Sequence, residues 1–368
     1  MAGPDESRPT TADPRDHLST EDPPLSLPDL WNDRADLAQR SLDHYFAAPG
    51  DQLFDNWHPL EPGDNDTFNY WWLAHAMDVR IDAHRRTGDP ARLDQAAAIL
   101  AGIRRRNGGA LFNDYFDDML WLALATLRLA EATGSADLRN HAVVIWQHVL
   151  DNGWNDHEGG GIAWRVQQPY YKNTPANAPF VILSARLHRV TGDPRHLEWA
   201  TRTMDWLEGA LVRPDGFVED GVNRQEDHAI DLHWRFTYNQ GLYVGACVEL
   251  ARALGRDDYL SRATRTARTA ITELTSDGVF AHEGDGGDEG LFKGIYYRYA
   301  HRLLEVQDVP EVRDFLLDST ERLWKSSVRD GLLLAGSNWN HPPGPKVSLS
   351  AQLSAVMATE ACAALTAG

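Results

Sequence analysis

The chain has 368 residues, 42% of them hydrophobic, enough to bury one large core or two ordinary ones. Its formal net charge of −19 repels nucleic acid and anionic membranes and favours a neutral or cationic ligand. No apolar run reaches the ~18 residues of a membrane span, and zinc-type cysteine pairs are absent. The two cysteines, Cys247 and Cys362, lie in small-residue apolar stretches that suit buried thiols better than a disulfide.

Residues 1–30 are rich in Pro, Asp, Ser and Thr and hold no apolar h-region, which predicts a disordered N-terminal segment and not a secretory signal. As written, the chain is expected in the cytoplasm; removal of a leader would make it a secreted protein. From residue 31 to 368 the expectation is one catalytic domain. Hydrophobic periodicity there predicts helices over 33–47, 68–87, 90–106, 115–133, 136–151, 174–191, 194–210, 238–254, 257–274, 290–306, 310–325 and 347–366, with no convincing set of strands.

The connections alternate between two kinds. Short ones join a helix stop to a helix start, as in Thr87-Gly88-Asp89-Pro90 and Thr191-Gly192-Asp193-Pro194. Long ones, rich in Gly, Asn and aromatics, cover 48–67, 107–114, 152–173, 211–237, 275–289 and 326–346. Helices after long connections are apolar nearly all round, whereas those after short turns are amphipathic. The first kind is therefore buried and the second lies outside. Six inner and six outer helices make an all-α (α/α)6 toroid. An open helical solenoid would need a near-constant period of ~34 residues; the short-turn glycines at 88, 134, 192 and 255 are instead spaced by 46, 58 and 63.

In such a ring every inner helix starts at the long-loop end, so six N-termini with free N–H groups converge on one cavity. The residues there are aromatic and amide-rich, as befits a neutral sugar site: Asn69, Tyr70 and Trp72; Asn113 and Tyr115; Asn173 and Asn177; Tyr238, Asn239 and Gln240; and Lys293. Trp164, beside three glycines in a long loop, joins them. Each has a bland counterpart. Trp71 and Trp72 could be core, the amides could be N-caps, and Lys172 and Lys293 could pair with acids of the mouth.

Within this wall Asp117 and Asp118 stand between Phe116 and Met119-Leu120-Trp121. Acids in a first helical turn are often there for the dipole, but apolar flanks on both sides argue against an exposed turn. Glycoside hydrolysis needs two carboxyl groups in different protonation states, and two like charges so close cannot both ionise cheaply. The motif NDYFDDMLWLALA, together with YWWLAHAMDV at 70–79, GGGIAW at 159–164, YKNTPANAPF at 171–180, TYNQGLYVGA at 237–246 and FKGIYYRY at 292–299, resembles glycoside hydrolase family 76, the bacterial endo-α-1,6-mannanases and their fungal cell-wall relatives. The resemblance implies Asp117 as nucleophile and Asp118 as general acid/base in a metal-free, cofactor-free, retaining cleavage of α-1,6-mannosidic bonds. It also implies α-mannan or manno-oligosaccharides as substrate; a monomer is expected.

Other readings stay open at this point. Transfer to a sugar hydroxyl would use the same intermediate. A sugar epimerase or isomerase on the same toroid would rely on His75, His228, His233 or His282, and a sugar-binding protein without turnover would need no carboxylate pair. Asp285-Gly286-Gly287-Asp288-Glu289 lacks EF-hand spacing and reads as a solvated acidic loop, or as part of a subsite.

Overall fold

A computed structural model describes residues 25–284 and 287–367. Twelve α-helices follow one another: α1 (Leu27–Phe46), α2 (Tyr70–Thr87), α3 (Ala91–Arg106), α4 (Phe116–Thr133), α5 (Ala136–Gly153), α6 (Thr174–Thr191), α7 (Pro194–Ala210), α8 (Thr237–Leu254), α9 (Asp257–Leu274), α10 (Phe292–Leu304), α11 (Pro310–Ser327) and α12 (Leu349–Thr366). The even-numbered helices pack side by side in the order α2, α4, α6, α8, α10, α12, and α12 returns to α2 to close the ring. The odd-numbered helices form the outer layer, with α1 against α12. This is the (α/α)6 toroid.

Burial follows the hydrophobic patterning. In α9 the buried positions include Tyr259, Ala263, Thr266, Ala267 and Ala270, one stripe at helical spacing. In α12 every residue from Leu349 to Ala363 is buried. At the short-turn end, Gly88 (φ +72°) and Gly192 (φ +74°) take the left-handed conformation that stops α2 and α6, and their N–H groups return to His84 and His188. Cys247 in α8 and Cys362 in α12 are buried free thiols.

Three features differ from the sequence reading. Helix α1 begins at Leu27, not at 33, inside the segment read as disordered; residues 1–24 of that segment lie outside the described residues. Ser26 caps the helix by accepting from the Asp29 N–H, Pro28 sits in the first turn, where no N–H is needed, and Trp31 is buried. Second, the inner helices are not apolar to their ends. Towards the short-turn end, Arg128 of α4 bonds Asp78 and, at 2.5 Å, Asp82 of α2; Arg298 of α10 reaches Asp82 at 2.8 Å; and Arg186 of α6 reaches Glu249 of α8 at 2.7 Å. Buried ions of this kind persist only when paired.

Third, the long loops carry short antiparallel ladders. Strands β2 (Ala163–Arg165), β3 (Gln168–Asn173) and β4 (Gly221–Val222) form one sheet in that order. The first and last long loops are joined by β1 (Trp57–His58) pairing with β9 (Val347–Ser348), Trp57 opposite Ser348. Two hairpins, β5 (Thr275–Ser276) with β6 (Val279–Phe280) and β7 (Val328–Arg329) with β8 (Leu332–Leu333), complete the set among the described residues. Most strands are two residues long, too short to leave an alternating pattern.

The inner helices approach at small residues. A Cβ on Gly241 of α8 would lie 2.5 Å from the Tyr296 Cα of α10, and one on Gly294 of α10 would lie 2.7 Å from the Ser354 Cα of α12. At Gly241 backbone alone, not a movable side chain, fills the place. Gly241→Ala is therefore expected to cost about 1–3 kcal/mol, read as a lower midpoint in urea unfolding at unchanged m-value. A variant as stable as the parent would mean that α8 and α10 can separate freely.

Candidate active site

The starts of α2, α4, α6, α8 and α10 and the long loops before them enclose an open-mouthed cavity of about 580 Å3. Asp117 and Asp118, in the first turn of α4, both line it and are half-buried. Their hydrogen bonds differ. Asp117 Oδ1 accepts from the Asp118 N–H at 3.0 Å, and its Oδ2 accepts from the Trp164 indole N–H at 3.2 Å. Asp118 Oδ2 accepts from the Asn113 amide at 2.8 Å, while the Asn113 carbonyl oxygen is held by the Tyr115 N–H at 3.0 Å.

Burial raises the pKa of both carboxyls. Asp117 is pushed up to about 7, with its two N–H donors working against the rise. Asp118 goes well above the ordinary carboxylate range, because burial is joined by the charge of Asp117. At neutral pH the pair thus favours one shared arrangement, with the proton on Asp118 and the charge on Asp117.

A third carboxylate, Asp288, lines the same cavity. Its Oδ1 accepts from both Trp71 (3.1 Å) and Trp72 (2.8 Å), and burial raises its pKa too. The floor and walls are aromatic. Trp71 stacks on Trp121 with ring centroids 6.2 Å apart, and Tyr238 lies flat on Phe292 at 3.9 Å. At the rim, Trp234 is 44% exposed with the Arg224 guanidinium 3.8 Å above its ring. Asp220 lies in the wall between these groups and accepts from Tyr171, Tyr238, Asn239 and Arg224 at 2.9–3.0 Å.

Residues 31–367 match the sequence profile of glycosyl hydrolase family 76. The chain belongs to that family. Among solved structures, the Lin0763 protein of Listeria innocua is 49% identical, with a TM-score of 0.89 over 91% of this chain and 97% of its own. An inactive variant of the α-1,6-mannanase of Salegentibacter sp. HEL1_6, with two consecutive aspartates changed to asparagine and in complex with α-1,6-mannotriose, is 37% identical. Its TM-score is 0.85, over 91% of this chain and 99% of its own. The mannan endo-1,6-alpha-mannosidase DCW1 of Candida glabrata is 28% identical over 278 residues, 67% of this chain and 60% of its own length. The chain thus spans about 60% of the length of the curated relatives it matches.

The residues expected at this family 76 site divide into two groups. Asn69, Tyr70, Tyr115, Trp164, Asn173 and Tyr238 line the cavity with the aspartates. Asn113 stands behind them and touches Asp118. Trp72, Asn177, Asn239, Gln240 and Lys293 do not line it. Trp72 is 3% exposed and reaches the site only through Asp288; Trp71, one residue earlier on the helix, takes the cavity face.

Asn177 and Gln240 are turned to loop backbone. Asn177 accepts from the Ile162 N–H at 2.7 Å and donates to its carbonyl at 2.9 Å, and Gln240 does the same to Val218 at 2.9 and 2.7 Å. Asn239 is buried against Asp220. Lys293 donates to the Ser337 carbonyl at 2.6 Å, and Lys172 donates to Asn155 and to the Gly161 carbonyl, each at 2.7 Å; neither forms the expected direct carboxylate pair. None of His75, His228, His233 and His282 is among the lining residues.

The sequence reading did not place Trp121, Asp220, Arg224, Trp234, Phe236 or Phe292 at the cavity; Asp288, read as part of a solvated loop or of a subsite, is exposed and lines it. Only the loop aromatics Trp234 and Phe236 carried a signal, since an unpatterned Trp or Phe in a long loop has no helix face to occupy.

Two carboxyls with raised pKa destabilise the folded state at high pH. The folded state holds their protons more tightly than the unfolded chain, so the stability they contribute is full below about pH 4 and is lost as pH rises through about 7 and above. Asp117→Asn combined with Asp118→Asn is expected to melt several degrees above the parent at pH 8, with the gap closing at pH 4. Equal melting temperatures at pH 8 would show that the pair is not desolvated.

Proposed function

We propose that this family 76 protein is an endo-acting, retaining glycoside hydrolase that cleaves α-1,6-mannosidic bonds in mannan or manno-oligosaccharides. The observation that carries this reading is the pair of adjacent carboxyls in the open mouth, where two N–H donors favour charge on Asp117 and that charge, with burial, favours a proton on Asp118. The linkage and the sugar rest on relatives described as α-1,6-mannanase and mannan endo-1,6-alpha-mannosidase, one of them bound to α-1,6-mannotriose.

In the first step the ionised Asp117 attacks the anomeric carbon as Asp118 passes its proton to the departing glycosidic oxygen. The C–O bond to the leaving sugar breaks, and an ester between the mannosyl unit and Asp117 forms. In the second step Asp118, now a carboxylate, removes a proton from water as its oxygen attacks the same carbon. The ester opens, Asp117 regains its charge and Asp118 its proton, and two inversions leave net retention. Trp164 holds the nucleophile and Asn113 the acid, while the Trp71 and Trp121 rings offer apolar faces to the pyranose. The −19 charge fits a neutral glycan.

Asp118→Asn removes the acid but leaves the nucleophile. An activated aryl mannoside, whose leaving group departs unprotonated, should keep much of its rate, whereas α-1,6-mannotriose should lose at least about 100-fold. If both substrates fall equally, Asp118 is not the acid. NMR of the first product should show the α-anomer; a β-anomer would contradict retention, and products longer than the substrate would indicate transfer.

Trp164→Phe removes one donor to the Asp117 carboxylate. A hydrogen bond to a charged group is worth about 1.5 kcal/mol and one pKa unit is about 1.4, so the acid limb of kcat/KM should move up by about one pH unit. The basic limb, which reports Asp118, should stay in place. An unmoved acid limb would separate Trp164 from the nucleophile.

A further inference from the structure

A second cavity lies at the opposite end of the ring, where α2, α10 and α12 finish. It measures about 450 Å3. Along α2 it is some fifteen residues, about 22 Å, from the catalytic mouth, and it shares no lining residue with the mouth.

Its charge runs against that of the whole molecule. Four guanidinium groups, from Arg85, Arg86, Arg298 and Arg302, line it together with three carboxylates. Every one of those carboxylates is already engaged. Asp82 is taken by Arg298 at 2.8 Å and by Arg128 at 2.5 Å, Glu360 by Arg86 at 2.8 Å, and Glu305 by Arg302 at 2.7 Å and Arg252 at 3.0 Å.

Arg85 is exposed at the edge of the cavity and has no hydrogen bond or ion pair among the described residues. Around it like charge outweighs the one carboxylate that opposes it, Asp82. Arg128, with partial burial and Arg302 adding to it, lowers its pKa against that pull. A guanidinium stays protonated regardless, so the repulsion is a standing cost that an anion in the cavity would relieve.

We propose that this cavity is a binding site for a small oxyanion ligand, a phosphate or a phosphorylated monosaccharide, with Arg85 as its principal contact and Arg302 beside it. The planar guanidinium fork matches the oxygen spacing of phosphate. The volume exceeds that of a bare ion, and the alanines Ala361, Ala363 and Ala364 of α12 give the remainder an uncharged wall. The inference is independent of the chemistry assigned to the mouth.

The test is thermal unfolding and calorimetric titration of the full chain with inorganic phosphate and with mannose 6-phosphate, against sodium chloride at matched ionic strength. The parent and Arg85→Gln are compared, with Arg268→Gln as a control for an exposed arginine outside the cavity. At least one phosphate is expected to raise the melting temperature of the parent beyond the chloride control. Arg85→Gln should weaken its binding at least about ten-fold, while Arg268→Gln leaves it intact. In chloride alone Arg85→Gln should melt at or above the parent, because the substitution removes repulsion; a merely structural arginine would give the opposite. No phosphate-specific shift in the parent, an equal shift in Arg85→Gln, or a lower melting temperature of Arg85→Gln in chloride would each overturn the proposal.

Discussion

The constraint behind everything else is directional. A short turn such as Thr87 to Pro90 brings the chain back at the same end it reached, and an 18-residue helix is about 27 Å long. Alternating short turns with long loops therefore commits every inner helix to start at one end and every glycine stop to the other. The chain has no freedom to distribute its large loops. They gather over six helix N-termini, whose free N–H groups and partial positive charge suit a site built on carboxylates.

That constraint made the architecture legible in the sequence, along with the position of Asp117 and Asp118, because both depend on local signals: glycine stops, caps and the switch from amphipathic to wholly apolar helices. What it could not convey is which side of an inner helix faces the cavity. Successive residues on a helix differ by about 100°, so Trp71 and Trp72 cannot both face the cavity although both donate to Asp288, and no pattern in an all-apolar helix says which points inward. Packing decides, and it turns Trp71 to the cavity and Trp72 to Asp288.

Two of the misplaced amides, Asn177 and Gln240, share a physical reason with Gln352, which the sequence reading did not single out. Asn177, Gln240 and Gln352 each use both ends of the amide on the backbone of a long loop: at Ile162, at Val218, and at Ala335 and Leu333. A buried side-chain amide presents the same donor and acceptor as a strand neighbour, so it satisfies peptide groups that a loop would otherwise bury unpaired. Two of these clamps sit two residues before a cavity residue. Ile162 precedes Trp164, which holds Asp117, and Val218 precedes Asp220, which gathers Tyr171, Tyr238 and Arg224. Asn177 and Gln240 were read as sugar ligands beside Asn69 and Asn173, which do line the cavity; they act one step back, holding the loops that bear the groups there.

The two ends of the ring solve opposite electrostatic problems. At the mouth, carboxyls are crowded and half-buried with few cations near them, so they respond by holding protons. At the floor, arginines and acids are crowded too, but they interlock, Arg128 between Asp78 and Asp82 and Arg186 on Glu249. Buried pairs add little net stability over apolar packing, yet breaking one leaves an uncompensated charge. They therefore fix the rotation of α2, α4 and α10 about their own axes more firmly than interchangeable aliphatic contacts would. The rotation set at Asp78 and Asp82 is the one that presents Trp71 at the other end of the same helix. It is also the one that aims Arg128 of α4 at the acids of α2 while Asp117 and Asp118, on the first turn of α4, face the open cavity. The charged floor and the acidic mouth are thus two readings of a single set of helix orientations.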